Sequence, residues 1–247
     1  MSDNIYNNIT IVSAFVSNIN LYRNLDKYID YGTKLLQNNL QKIIFIEKNI
    51  YDSYFSNQNF NNTHFIFFEK KDIYLYNFIN DITNFSINTD NPSKDNLEYF
   101  FVQCNKTEWI KQAIEINYFN TEQFVWVDFG IFHVFNNNFE TFNNSLYGLN
   151  NKIYERVRIS TIWNLDYLYN INIHKNICWY FAGGIFGGSK NFLLKFAEIM
   201  KNKCISYIQE HKHLVWEVNI WYLIYNENKE LFDTYHSDHN SSLIQNY

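Results

Sequence analysis

A carboxylate at the end of an apolar run is the first chemical feature of this 247-residue sequence: Phe124-Val125-Trp126-Val127-Asp128-Phe129-Gly130. Open α/β sheets bind their ligands at the carboxyl edges of the strands, so a strand that ends in Asp128 presents an acid where a ligand would sit. An oxygen donor there suits a hard divalent cation, Mn2+ or Mg2+, that bridges a diphosphate. The plain alternative is an aspartate that caps the following turn. Asp-Phe-Gly also occurs in protein kinases, but the glycine-rich loop and the His-Arg-Asp segment those enzymes need are missing. Glu217 follows Trp216 in an otherwise apolar segment and reads either as an exposed helix residue or as a buried base for a hydroxyl. His236, Asp238 and His239 gather three potential metal ligands within four residues, able to complete a site begun by Asp128. Their default reading is a solvated polar tail. Lys106 offers a positive charge to a phosphate, or is simply solvated near a helix start.

Glycine marks the other candidate. Four of the seven glycines, Gly183, Gly184, Gly187 and Gly188, fall inside six positions of the stretch from Cys178 to Ser189. Glycine is entropically unfavourable in a regular element, so a chain this poor in it should concentrate it where the backbone needs unusual φ/ψ or a close approach to another group. The stretch reads as an aromatic strand that runs into a glycine-rich strand-to-helix turn, with Ser189 capping the helix that begins at Lys190. Such a turn presents backbone N–H groups to an anion or leaves room for a flat sugar ring. Tight packing of strand on helix is the alternative.

The elements that must position these groups follow from hydrophobic pattern. Residues 9 to 16, 42 to 47 and 63 to 68 are short apolar runs of the kind buried parallel strands show. A helical stretch from about Asn24 to Leu40 separates the first two, and strand, helix, strand at this spacing predicts a largely parallel sheet. Residues 84 to 95 hold the only proline and read as a loop. Leu97 to Tyr118 is helical, with a break near Asn105-Lys106-Thr107 where Thr107 is a candidate cap. The Asn-rich residues 135 to 152 read as a loop, and Tyr154 to Ser160 as a strand. After the glycine stretch, Leu193, Ala197, Met200, Cys204 and Ile208 recur at helical spacing. His213 to Asn226 predicts a short buried helix that bears Glu217.

Composition narrows the class. One domain with a full core accommodates this length, and 20% aromatic against 18% charged residues argues for a folded chain. A net charge of -5 and the lack of a Lys/Arg cluster argue against a nucleic-acid partner. Cys104, Cys178 and Cys204 show neither C-x-x-C nor zinc-finger spacing and read as buried thiols of a reducing compartment. No basic-then-apolar leader opens the sequence and no apolar run is long enough to span a bilayer. A cytoplasmic location is therefore the expectation.

In combination, five segments resemble the HtrL/YibB (WlaTC) family of glycosyltransferase-like proteins. They are Thr-Ile-Val-Ser-Ala-Phe at 10 to 15, Lys106-Thr-Glu-Trp-Ile-Lys-Gln-Ala-Ile-Glu115, Phe124-Val-Trp-Val-Asp-Phe-Gly-Ile131, Gly183-Gly-Ile-Phe-Gly-Gly-Ser189 and Trp216-Glu-Val-Asn-Ile-Trp221. More distantly, the chain is similar to blood-group-type transferases of the GT-A fold, which carry a basic residue, an Asp-x-Asp strand end, a Gly-Gly-x-Phe-Gly-Gly-Ser segment and a Trp-led acidic segment in the same order. That resemblance implies a single GT-A-like α/β domain, with a mostly parallel central sheet flanked by helices, a nucleotide-binding half at 1–130 and an acceptor half at 131–247. It also implies a nucleoside diphosphate sugar, UDP-linked by preference, over Ser13, Ala14 and Phe15, with Lys106 near the phosphates and manganese on Asp128. Gly183, Gly184, Gly187 and Gly188 would border the sugar, and Glu217 would face a glycan or other hydroxyl acceptor. The sequence departs from the pattern where Gly130 replaces the second aspartate and where Val218 and Asn219 follow a single acid. These departures leave open metal dependence and the anomeric outcome. The other reading is a non-catalytic carbohydrate-binding protein on the same fold. A sugar nucleotidyltransferase is disfavoured, because Ser13 to Asn20 lacks a glycine-rich phosphate loop.

Overall fold

The computed structural model describes residues 8–17 and 24–247. The first seven residues and the Asn18 to Asn20 part of the segment after the first strand fall outside them. Seven strands form one sheet: β1 (Ile9–Phe15), β2 (Lys42–Glu47), β3 (Thr63–Phe68), β4 (Gln123–Val127), β5 (Val157–Thr161), β6 (Phe181–Ser189) and β7 (Phe232–His236). Their order is β3-β2-β1-β4-β6-β5-β7. All pairs are parallel except those of β6, which runs antiparallel to both β4 and β5. The expected α/β class with a mostly parallel central sheet flanked by helices is thus the class observed.

Period-two alternation splits the core between the two faces of the sheet. Val12, Ile43, Phe45, Phe124, Trp126 and Phe186 point to one side. There they meet α3 (Leu97–Cys104), α4 (Lys106–Ile116), α6 (Lys190–His211) and α7 (Glu217–Glu227). Ile11, Ile44, Ile46, Val125 and Val127 point to the other, against α1 (Leu25–Leu36), α5 (Phe139–Leu149) and α8 (Ser242–Gln245). A seven-residue helix, α2 (Lys48–Tyr54), follows β2 directly.

Five expectations are corrected. The glycine stretch is a nine-residue strand, β6, and not a turn; of its four glycines only Gly188 has a positive φ, at 141°. Ser189 does precede α6, but its hydroxyl bonds the Glu155 carbonyl at 2.5 Å and leaves the helix end uncapped by its side chain. Thr107 lies inside α4, where its buried hydroxyl has no hydrogen-bond partner, and Asn105 marks the break instead. The Asn-rich stretch holds α5: Asn138 caps it by accepting from the Thr141 N–H at 3.0 Å, and Phe142, Leu146 and Leu149 are buried on one face. The final segment is also no solvated tail, since β7 pairs in parallel with β5. The expected thiols are free and buried at Cys104, Cys178 and Cys204. Among the described residues no helix is long and apolar enough to cross a membrane.

Asparagine supplies most of the left-handed backbone. Among the described non-glycine residues with positive φ, Asn62, Asn117, Asn120, Asn136 and Asn137 are joined only by Lys212.

Lys42 is a fully buried cation at the sheet's amino edge. Its Nζ donates to the carbonyls of Asn38 and Leu40, the latter at 2.7 Å, and burial lowers its pKa from 10.5 to about 7. Between those values the unfolded chain binds more protons than the folded one, so stability rises with pH, by up to about 1.4 kcal/mol per unit. Lys42→Met removes the linkage. Denaturant titrations at pH 7 and 9.5 should therefore show the wild type gaining stability relative to Lys42→Met, and an unchanged difference would refute the depressed pKa.

Candidate active site

The carboxyl ends of β1 and β4 and the start of antiparallel β6 share one edge of the sheet, and a cleft of about 620 Å³ opens there. That is ample for a nucleotide and a sugar. Three charged side chains from three elements meet at its floor. Lys106 is the first residue of α4, Asp128 the first residue beyond β4, and Glu217 the first residue of α7. A helix amino terminus carries partial positive charge, which favours a carboxylate at the last of these positions.

Lys106 is buried, at 2% exposure, and its Nζ has three acceptors for its three protons. It lies 3.0 Å from Asp128 Oδ1 and 3.2 Å from Glu217 Oε1, and donates to the Gly183 carbonyl at 2.9 Å. Burial pulls its pKa down, but the charges of Asp128 and Glu217 and the hydrogen bonds to them outweigh this, and the net shift is upward. The two acids thus hold the lysine in its charged form. Asp128 Oδ1 also accepts from Trp126 Nε1 at 2.7 Å. Its other oxygen has only a 3.3 Å contact with Lys106, and the side chain is 35% exposed. Glu217 is far more enclosed, its side chain being 7% exposed. The floor therefore holds one acid open to the cleft and one recessed, with a cation between them.

The glycines of β6 divide by what they face. A Cβ at Gly183 would lie 2.2 Å from Glu217 Oε1 and 3.3 Å from Lys106 Nζ, so the ion pairs occupy the space a side chain would need. Gly184 borders the cleft as well, and its carbonyl accepts the Asp128 N–H at 2.9 Å, which fixes the aspartate. Gly187 and Gly188 do not border it. A Cβ on the first would meet the Phe124 carbonyl at 2.6 Å, and one on the second the Arg156 carbonyl at 2.3 Å. They serve sheet packing, contrary to the donor-binding role expected of them. Ser13 is displaced in the same way: it is fully buried, its hydroxyl has no partner, and the cleft is lined by Ala14, Phe15 and Val16 beside it.

The expected metal set is not assembled. Among the described residues no three His, Cys, Asp or Glu side chains group as metal ligands. His236 is exposed at the end of β7, and Asp238 Oδ1 accepts the backbone N–H of His239 at 2.7 Å within their own loop. Only His239 joins Asp128 in lining the cleft. At Gly130 a Cβ would stand 3.0 Å from two ring carbons of Tyr28, so an aromatic ring fills the room beside the missing second acid. Asp128 offers a cation one open carboxylate oxygen, and any further ligands would have to come from outside these side chains. A cage made wholly of protein ligands does not fit.

Sequence reading missed Trp126, Tyr28, Trp179 and Lys94, all of which line the cleft. Trp126 was accessible in principle: it stands two residues before Asp128, on the same side of an extended chain. Trp179 meets His239 edge to face with ring centroids 4.3 Å apart. Trp216 Nε1 donates to Asp95 Oδ1 at 3.2 Å, which ties the proline-bearing loop to the residue before Glu217.

A family described as "Bacterial protein of unknown function (HtrL_YibB)" matches residues 7–242. No curated protein matches the chain. Solved structures that resemble it include the 4-diphosphocytidyl-2C-methyl-D-erythritol synthase of Anaerococcus prevotii DSM 20548, at 10% identity, 96% coverage of this chain, 89% of that one and a TM-score of 0.43. Another is mouse xyloside xylosyltransferase 1 in its apo form, at 10% identity, coverage of 92% and 84%, and a TM-score of 0.46.

Removing one partner of a buried ion pair leaves an uncompensated charge, which typically destabilises by about 3–5 kcal/mol. Lys106→Met should lose stability in that range, chiefly through Glu217, because Asp128 is partly screened by solvent. Adding Glu217→Leu should restore much of the loss in denaturant titrations; a double variant no more stable than the single would refute the coupling. The glycines make a second test. At Gly187→Ala the methyl collides with backbone, and overpacking of this kind costs roughly 1–3 kcal/mol or more. Gly183→Ala pushes the Glu217 carboxylate off Lys106, so its loss should be largely relieved by adding Glu217→Leu, whereas the loss at Gly187→Ala should not be. Equal relief of the two variants in melting temperature would contradict this division.

Proposed function

The chain belongs to the HtrL_YibB family, and we propose that it is a glycosyltransferase that moves a sugar from a nucleoside diphosphate sugar, UDP-linked by preference, to a hydroxyl acceptor. The observation that carries this reading is the meeting of Lys106, Asp128 and Glu217 at the carboxyl edge of the sheet, inside a cleft of substrate size. Glycosyl transfer sets two electrostatic tasks. Negative charge builds on the departing diphosphate, and the acceptor hydroxyl must give up a proton.

The two acids differ in the way those tasks require. Asp128 is the open one, with an oxygen toward the cleft, and serves the donor side. A divalent cation held by Asp128 and the donor's own phosphates would supply charge neutralisation when bound. Lys106 adds a fixed positive charge behind the aspartate and holds both carboxylates in place. Glu217, recessed and gripped by the ammonium, is the acceptor-side base: it takes the hydroxyl proton as the new glycosidic bond forms. Ala14 and Phe15 at the end of β1 give the nucleotide its seat within residues 1–130, and residues 131–247 contribute the acceptor side.

A thermal-shift series with nucleoside diphosphates and nucleotide sugars, with and without Mn2+, tests the donor. A ligand at about 100 times its dissociation constant adds about 2.7 kcal/mol of stability. UDP or a UDP-sugar should raise the melting temperature in the presence of metal, and Asp128→Asn should abolish the rise. Glu217→Gln should keep the rise while lowering turnover by about 10²–10⁴-fold, the usual worth of a general base. Sugar binding with no response to any nucleotide would replace the enzyme by a carbohydrate-binding protein.

A further inference from the structure

The cleft has two ends, set by the order of the strands. Ala14 and Phe15 at the end of β1 border one; Trp179 just before β6 and His239 just after β7 border the other; and β4, which delivers Asp128, lies between β1 and β6. At the second end two nitrogen groups stand, among the described residues, without a hydrogen bond or ion pair from their side chains. The Lys94 ammonium lies 5.3 Å from the centre of the Tyr99 ring, and the His239 imidazole touches Trp179 edge to face. The acids nearest in sequence are engaged elsewhere. Asp95 accepts from Trp216 Nε1 at 3.2 Å and from Thr89 Oγ1 at 2.5 Å, and Asp238 accepts from the backbone of His239.

Lys94 is held at this end by its loop. The Asn88 N–H donates to the Lys175 carbonyl at 2.7 Å, and the Asn88 amide to Asn176 Oδ1 at 3.1 Å, which docks the loop on the segment leading into Trp179. Burial lowers the pKa of His239; Asp238 works against this, and the charge of Lys94 lowers it further, which places lysine and imidazole within electrostatic reach of each other. The cleft is therefore polarised: two acids around one ammonium at the floor, and at the far end an ammonium that no described acid pairs, beside an imidazole able to hydrogen-bond.

On the glycosyl-transfer reading above, we propose that this end is the acceptor subsite and that it selects a sugar bearing an anionic group, a carboxylate or a phosphate, held by Lys94 and His239 with the sugar ring against Trp179. Charge-assisted hydrogen bonds from a cation with no competing acid are the stronger kind, and an aromatic wall suits the apolar face of a pyranose. An acceptor so held presents its hydroxyl toward the floor, where Glu217 stands.

Calorimetric titrations of UDP with Mn2+, and of methyl glucuronide, glucose 6-phosphate and methyl glucoside into both UDP-loaded and free protein, test the assignment on the wild type, Lys94→Gln and His239→Gln. At least one anionic sugar should bind the wild type about tenfold more tightly than methyl glucoside, a difference of about 1.4 kcal/mol. Lys94→Gln should bring it down to the level of the neutral sugar and leave UDP affinity unchanged. Whether the glucuronide or the phosphate is preferred identifies the anion. Equal affinity for all three sugars overturns the proposal, as does a Lys94→Gln variant that loses UDP affinity, which would assign the lysine to the donor. Failure of UDP to bind the wild type counts against the donor reading alone, since the titrations into free protein still decide the subsite.

Discussion

A buried ammonium between two carboxylates is the constraint on which the site depends. An isolated ion is costly to remove from water, and even a paired one recovers that cost only when its geometry is good and its hydrogen bonds are complete. Lys106 meets the condition through three acceptors taken from three separate stretches: the acid after β4, the backbone of β6 and the first residue of α7. Displacement of either acid breaks an ion pair and displacement of the carbonyl leaves an ammonium proton without its acceptor, so assembly of the sheet edge and assembly of the chemistry go together. The rigidity this gives is what an electrostatic site needs, since groups already oriented require no reorganisation during reaction.

The reversal of β6 makes this possible. An all-parallel sheet would bring the start of such a strand to the opposite edge. Because β6 runs against β4, its first residues, and not its last, reach the edge where β1 and β4 end. The glycine-rich portion thus begins beside Asp128, and its farther glycines continue between β4 and β5 as packing residues. One stretch of sequence performs two tasks, accommodation of the ion pairs at Gly183 and close strand contact at Gly187 and Gly188.

Much of the scaffold was legible because buried parallel strands read as unbroken apolar runs, and β1, β2 and β3 lie within a residue or so of where the pattern puts them. Asp128 was legible as the end of such a run. Lys106 and Glu217 were legible as candidates, but each is separated from Asp128 by many residues, and nothing in local spacing shows that an ammonium joins them. β7 was hidden because at the edge of the sheet only Phe232 and Tyr235 of its five residues are buried and it lacks an apolar run. The metal set was suggested by closeness in sequence alone, whereas among the described residues only His239 of the three lines the cleft with Asp128. α5 was obscured by asparagine, read as loop composition although it acts there as a helix cap and in the approach to it.

That last point changes how the sequence's scarce glycine should be understood. In most proteins glycine serves both as the residue for left-handed turns and as the residue for crowded contacts, and its meaning at a given site is ambiguous. Here asparagine has taken over the first task at Asn62, Asn117, Asn120, Asn136 and Asn137. This use of asparagine has in effect separated the two roles. Glycine is left mostly as a marker of steric exclusion, and a map of where this chain keeps it is close to a map of where two parts of the molecule come too near for a side chain.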